Sequence, residues 1–224
     1  MKLYRFVYSN YSRKVQTALE LAKIPFETVD VAYGDRAELV AITGGMHVPV
    51  LIHDDGRILR ESRAILDTLS VEDQRMGALV PPHLAAPVWA YSDWADGPLE
   101  DVLFRIASPG IHDALATPVE RAWFTVIKER RWGAGAVEAW VKERPELVAR
   151  ARAALAPTLR TLARVPFIIG DRPTLADAAL YGHLAPIAYA DPALVDAIAA
   201  GLGPWVDRMH AAGVSAFPRR TAGC

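Results

Sequence analysis

The chain has 224 residues, 52% of them hydrophobic and 23% charged, with a formal net charge of −1. This is a globular composition, long enough for one large domain or two ordinary ones, and it excludes a disordered chain. Near-neutral charge offers no field for nucleic acid, no apolar run approaches the ~18 residues that span a bilayer, and one cysteine, Cys224, supports neither a disulfide framework nor a cysteine zinc site. In chain order, "KLYRFVY" reads as a strand, residues 12–24 as a helix with Val15, Ala18, Leu19 and Ala22 on one face, and "PFETVDV" as a second strand. A short helix over "DRAELVAI" follows. Then "VPVLIHDDGRILR" gives two strands joined by "HDDG", whose Asp-Gly is the strongest hairpin signal in the chain. A helix from Glu61, with Ile65, Leu66 and Leu69 at core spacing, closes a βαβ-α-ββα unit of α/β type with a mixed sheet.

Beyond about residue 86 strand signals nearly vanish, and alanine, leucine, arginine and glutamate recur at helical spacing. The expected division is an α/β domain over residues 1–75, a linker over 76–86 within "QRMGALVPPHLAA", and an all-helical domain over 87–224. The best-marked helix start is "DRPTLADAALYGHL", where Thr174 caps the helix and Asp177 completes a capping box. Pro109, Pro118, Pro145, Pro173, Pro192 and Pro204 are expected to separate helices, whereas Pro157 and Pro186 fall inside helical patterns and suggest kinks. The basic run "KERR", residues 128–131, reads as a solvated helix face. The start "MKLYRF" runs directly into a strand and leaves no room for a secretory signal, so a cytoplasmic protein is expected. Six histidines without a His-x-x-x-His pair predict no metal site.

Three stretches carry a resemblance. "SNYSRKV", residues 9–15, has serines where a thioredoxin-like redox site has Cys-x-x-Cys at a strand-to-helix junction. "HVPVLIHDDGRILRESRAIL" resembles the glutathione-binding segment of the glutathione S-transferase superfamily, and "FIIGDRPTLADAALYGHL" resembles that family's helical-domain signature. The matches run in the family's order along the full length. They imply a thioredoxin-like N-terminal domain, an all-α C-terminal domain, glutathione as cosubstrate and a cytoplasmic homodimer. In the family the Val-Pro bond is cis, so Val48 and Pro49 would present backbone groups that pair with an extended tripeptide as another strand would. Glu61 and Ser62 open a helix, where unsatisfied amides favour a carboxylate and Glu61 would hold the ammonium of the same γ-glutamyl group. Many relatives have Asn-Pro-x-Gly and a lysine or glutamine before the Val-Pro; here "TGGMHVP" puts His47 in that place, near the glycyl carboxylate.

A serine hydroxyl does not attack a disulfide at neutral pH, but it can donate a hydrogen bond to a thiolate brought by the substrate. The resemblance gives that role to Ser9. Tyr8 is the rival, because other classes use a tyrosine at the end of the first strand, and strand alternation would put Tyr8 and Ser9 on opposite faces. Ser12, a second alternative, reads better as a helix cap. The expected reaction is attack of bound glutathione on a small apolar electrophile, in a pocket drawing on Asn10, Tyr11, Trp89, Trp94 and Trp123, with Phe104, Phe124 and Trp132 in the same segments. Arg13 and Arg105 are further candidates for binding an acidic substrate. "SNYSRKV" is also similar to the Ser-Ser-Cys-Ser-x-Arg-Val stretch of zeta-type enzymes, which isomerise maleylacetoacetate with glutathione. A binding or scaffolding protein of the same fold without catalysis is the third alternative.

Overall fold

Leu3 and Tyr4 are adjacent in sequence but face opposite sides of one sheet. Leu3 joins Leu51 and helix residues in the main core, whereas Tyr4 packs with Val50 and Leu39 in a second, smaller cluster. In this computed structural model, which describes residues 1–220 and leaves Cys224 outside, the strands are β1 (Lys2–Arg5), β2 (Glu27–Asp30), β3 (Val50–Ile52) and β4 (Ile58–Arg60). Their order is β2-β1-β3-β4, with β1 parallel to β2 and antiparallel to β3, and β3 antiparallel to β4. α1 (Asn10–Leu21) and α3 (Ser62–Glu72) belong to the main-core side and α2 (Ala37–Thr43) to the other. This is a thioredoxin-like α/β unit.

All later elements among the described residues are helical. α4 (Gln74–Gly77) and a 3₁₀ turn (Pro82–Leu84) lead into α5 (Ala85–Trp94), a widened π turn (Ala95–Leu99) and α6 (Glu100–Ala114). α7 (Pro118–Trp132), α8 (Ala136–Lys142), α9 (Arg144–Leu162), α10 (Leu175–Ala190), α11 (Ala193–Ala199) and α12 (Gly203–Ala211) complete the chain. Among the described residues no helix is long and apolar enough to cross a membrane. The segment expected as a linker is packed: Met76 and Leu79 are buried, and the Leu79 carbonyl accepts the Leu175 amide at 2.9 Å.

α10 is the axis of the helical half, buried at nearly every position. Asp177 fixes its start. One carboxylate oxygen accepts the Thr174 amide at 2.9 Å, and the other accepts the Ile168 amide at 3.0 Å and the Trp205 indole N–H at 2.9 Å. Burial raises the Asp177 pKa, and these donors oppose that shift. α10 also corrects the expectation for α1: residues 12–19 are buried all round rather than on one face. The core covers one side of α1 and α10 packs against the other, closely enough that a Cβ on Gly182 would lie 2.5 Å from the Lys14 backbone nitrogen. Pro118, Pro145 and Pro204 open helices, but Pro109 lies inside α6, as Pro157 and Pro186 lie inside α9 and α10. Pro109 is buried, and the packing of α6 outweighs the lost backbone bond.

Candidate active site

β1 ends at Arg5, and the chain turns before α1, closed by the Ser9 amide donating to the Phe6 carbonyl at 2.9 Å. Ser9 then caps α1, its Oγ accepting the Ser12 amide at 3.3 Å. Ser12 is therefore not the cap expected of it. It is the third helical residue, fully buried, with a hydroxyl that finds no partner among the described residues. Ser9 stands instead at the positive end of the α1 dipole, and because its oxygen is the acceptor in that bond, its hydroxyl proton remains available to donate.

The expected separation of Tyr8 and Ser9 also fails, because the strand has ended three residues before Tyr8 and its alternation no longer applies. Both border one cavity of about 130 Å³, together with Asn10, Phe104, Phe124 and Lys128. The Tyr8 hydroxyl is buried without a partner among the described residues, and burial raises its pKa, which keeps it protonated. A second cleft of about 350 Å³ is bordered by Ser9, Asn10, Tyr11, His47 and Val48. Ser9 and Asn10 lie on the walls of both.

The Val48-Pro49 bond is cis. His47 is exposed and Pro49 buried. Glu61 precedes α3 with φ of 63° and makes no side-chain capping bond, and Ser62 is buried at the first helical position. A positive φ on a non-glycine residue costs about 1–3 kcal/mol, so the surrounding structure holds Glu61 in this geometry. Neither Glu61 nor Ser62 lines the two cavities.

The three tryptophans expected in the electrophile pocket lie elsewhere. Trp89 stacks under the Arg63 guanidinium at 3.9 Å, Trp94 packs on Tyr91, and Trp123 packs on Tyr33 and Arg36 behind the wall. Arg13 is buried and donates to the Ser215 and Ala216 carbonyls, and Arg105 pairs with Asp101, so neither faces the cavities. The helical half presents Glu100 and Phe104 from α6, and Phe124, Lys128 and Trp132 from α7. Lys128 corrects the solvated-face reading of "KERR". It follows Phe124 by one helical turn and therefore shares its inward face, while Arg130 and Arg131 remain exposed. That i, i+4 relation, and its counterpart between Glu100 and Phe104, can be read from the sequence.

Beneath the cavity, three ionisable groups join the two halves. Lys14 of α1, fully buried, pairs with Asp96 in the π turn, and the other Asp96 oxygen lies 3.5 Å from His183 Nε2 on α10. The widened turn that carries Asp96 also carries Pro98. Tyr11 donates from its hydroxyl to the Asp96 carbonyl at 3.1 Å and meets the His183 ring edge-on. Burial pulls the His183 pKa down to about 4, so it is neutral near pH 7, its Nδ1 hydrogen donating to the Ala179 carbonyl at 2.9 Å.

Residues 3–75 match the family model for the glutathione S-transferase N-terminal domain, and residues 134–222 match that for the C-terminal domain. A curated relative, glutathione S-transferase U1 of Arabidopsis thaliana, is 38% identical over 69 residues, which is 30% of this chain and 30% of the relative's length. A glutathione S-transferase of Ceriporiopsis subvermispora, solved in complex with glutathione, superposes with a TM-score of 0.76 at 18% identity, covering 97% of this chain and 99% of that one. Glutaredoxin 2 of Salmonella typhimurium, also solved with glutathione, gives 0.71 at 21% identity, covering 96% of this chain and 95% of that one. At these identities the structural likenesses establish the fold.

Proposed function

Because the chain belongs to the glutathione S-transferase superfamily, we propose that it binds glutathione along the cleft beside His47 and Val48 and activates the thiol with Ser9. The observation that carries this reading is the position of Ser9: it caps α1 and lies on the wall shared by the cleft and the apolar cavity. A thiolate there would accept the Ser9 hydroxyl proton and lie at the positive end of α1. Val48 supplies backbone pairing, Ser62 and Glu61 take the γ-glutamyl end, and His47 takes the glycyl carboxylate. The sulfur electron pair then forms a carbon–sulfur bond to an electrophile in the cavity, and the leaving group departs with the electrons of the broken bond. Tyr8 is the competing donor, but it borders only the apolar cavity, whereas Ser9 borders both. A homodimer is part of the same proposal, and light scattering tests it.

The test is a titration of the purified protein with glutathione across pH, following thiolate absorbance, beside Ser9→Ala and Tyr8→Phe. The expected result is a bound thiolate at least one unit below the free thiol's ~8.5, lost in Ser9→Ala and kept in Tyr8→Phe. Binding without a lowered thiol pKa, or no binding at millimolar glutathione, rejects the transferase reading and favours the non-catalytic alternative.

A further inference from the structure

Besides the neutral His183, the cavity wall carries two ionisable side chains that a purely apolar ligand would not require. Glu100 lies one turn before Phe104 on α6, and Lys128 one turn after Phe124 on α7; both border the cavity and the cleft. Lys128 Nζ lies 4.7 Å from the Phe104 ring centroid and 4.5 Å from that of Phe124. Among the described residues no carboxylate lies within 4.0 Å of it, and Glu100 makes no ion pair. Arg36 and Arg131 border the cleft as well, so three cationic side chains face it together with Glu100. Arg36 is partly engaged, donating to the Tyr33 and Met46 carbonyls, and Arg131 lies over Trp132. Arg36 also lies over the Phe6, Tyr33 and Trp123 rings, whereas Lys128 is held among the described residues by two aromatic faces alone.

We propose that this cavity selects an aromatic acid: the rings of Phe104 and Phe124 contact the apolar body, and the Lys128 ammonium pairs with the carboxylate. Burial favours the acid form of Glu100, raising its pKa to about 7, and lowers that of Lys128 to about 8. Near neutral pH an arriving carboxylate therefore meets a carboxyl group able to donate a proton in a hydrogen bond and an amine that gains from being charged. A bound acid also offsets the excess positive charge of the cleft. That such an acid is the second substrate rests on the glutathione reading above; its binding does not.

The probes are 2-naphthoate and 2-naphthamide, titrated calorimetrically into the full chain at pH 7, with and without glutathione, beside Lys128→Met and Lys128→Arg. The expected result is naphthoate binding at least tenfold more tightly than the amide, a preference that disappears in Lys128→Met and persists in Lys128→Arg. Equal or weaker naphthoate binding, binding of neither probe, or a preference unchanged in Lys128→Met overturns the proposal. A glutathione titration separates the two claims. Naphthoate preference without glutathione binding supports the acid site and rejects the transferase reading, whereas glutathione binding without the preference overturns the acid site alone.

Discussion

The two walls of the site are built by different means. On the α/β side, Ser9 and Val48 sit at a turn and beside a cis proline, so backbone geometry places them. On the helical side, Glu100, Phe104, Phe124 and Lys128 meet because α6 and α7 turn one face toward the same space. On the reading proposed above, the backbone groups and the serine hydroxyl of the first wall would hold glutathione, and the side chains of the second would meet the acceptor.

The contrast is broken most severely where the walls join. Asp96→Ala leaves the fully buried Lys14 ammonium unpaired, and the expected loss is about 3–5 kcal/mol in urea unfolding. A loss below about 1 kcal/mol would show that the pair does not hold the halves together. Gly182→Val comes next. Its side chain would meet the α1 backbone at Lys14 and at the Asn10 carbonyl, costing about 1–3 kcal/mol. Because α1 must shift, glutathione affinity should fall along with stability. Unchanged affinity in a destabilised variant would mean that Ser9 is positioned independently of α10.

Substitutions within one wall sharpen the comparison. Ser9→Ala should raise the bound thiol pKa by at least one unit, about 1.4 kcal/mol, and cost about 1 kcal/mol of stability as a lost cap. It should leave the naphthoate preference intact. A different readout tests the acceptor side, the pH dependence of stability. The Glu100 pKa is raised from 4.5 to about 7, so the folded chain holds more protons than the unfolded one between those values, and stability falls as pH rises through that window. Lys128 is lowered from 10.5 to about 8, so the folded chain holds fewer protons there, and stability rises as pH climbs from about 8 to 10.5. Glu100→Gln should flatten the first slope and Lys128→Met the second, measured by denaturation at fixed intervals of pH. Slopes unchanged in both variants would place these groups in solvent rather than against the rings.

The sequence by itself determined the parts of this protein that depend on near neighbours in the chain. The Asp-Gly hairpin between β3 and β4, the burial of Ile65, Leu66 and Leu69, and the Asp177 start of α10 were legible because a turn, a period or a cap is a local arrangement. Ser9, Val48 and Ser62 could be singled out because short motifs around them resemble those of the family. Tertiary structure decided which helix faces became walls. α1 is buried all round because α10 covers the side the sheet does not, and Trp123 lies behind the wall. Lys128 looked like part of a solvated run until α6 brought Phe104 beside it. Helical periodicity fixes which residues share a face, but not what that face meets, because the meeting is set by packing between elements far apart in the chain.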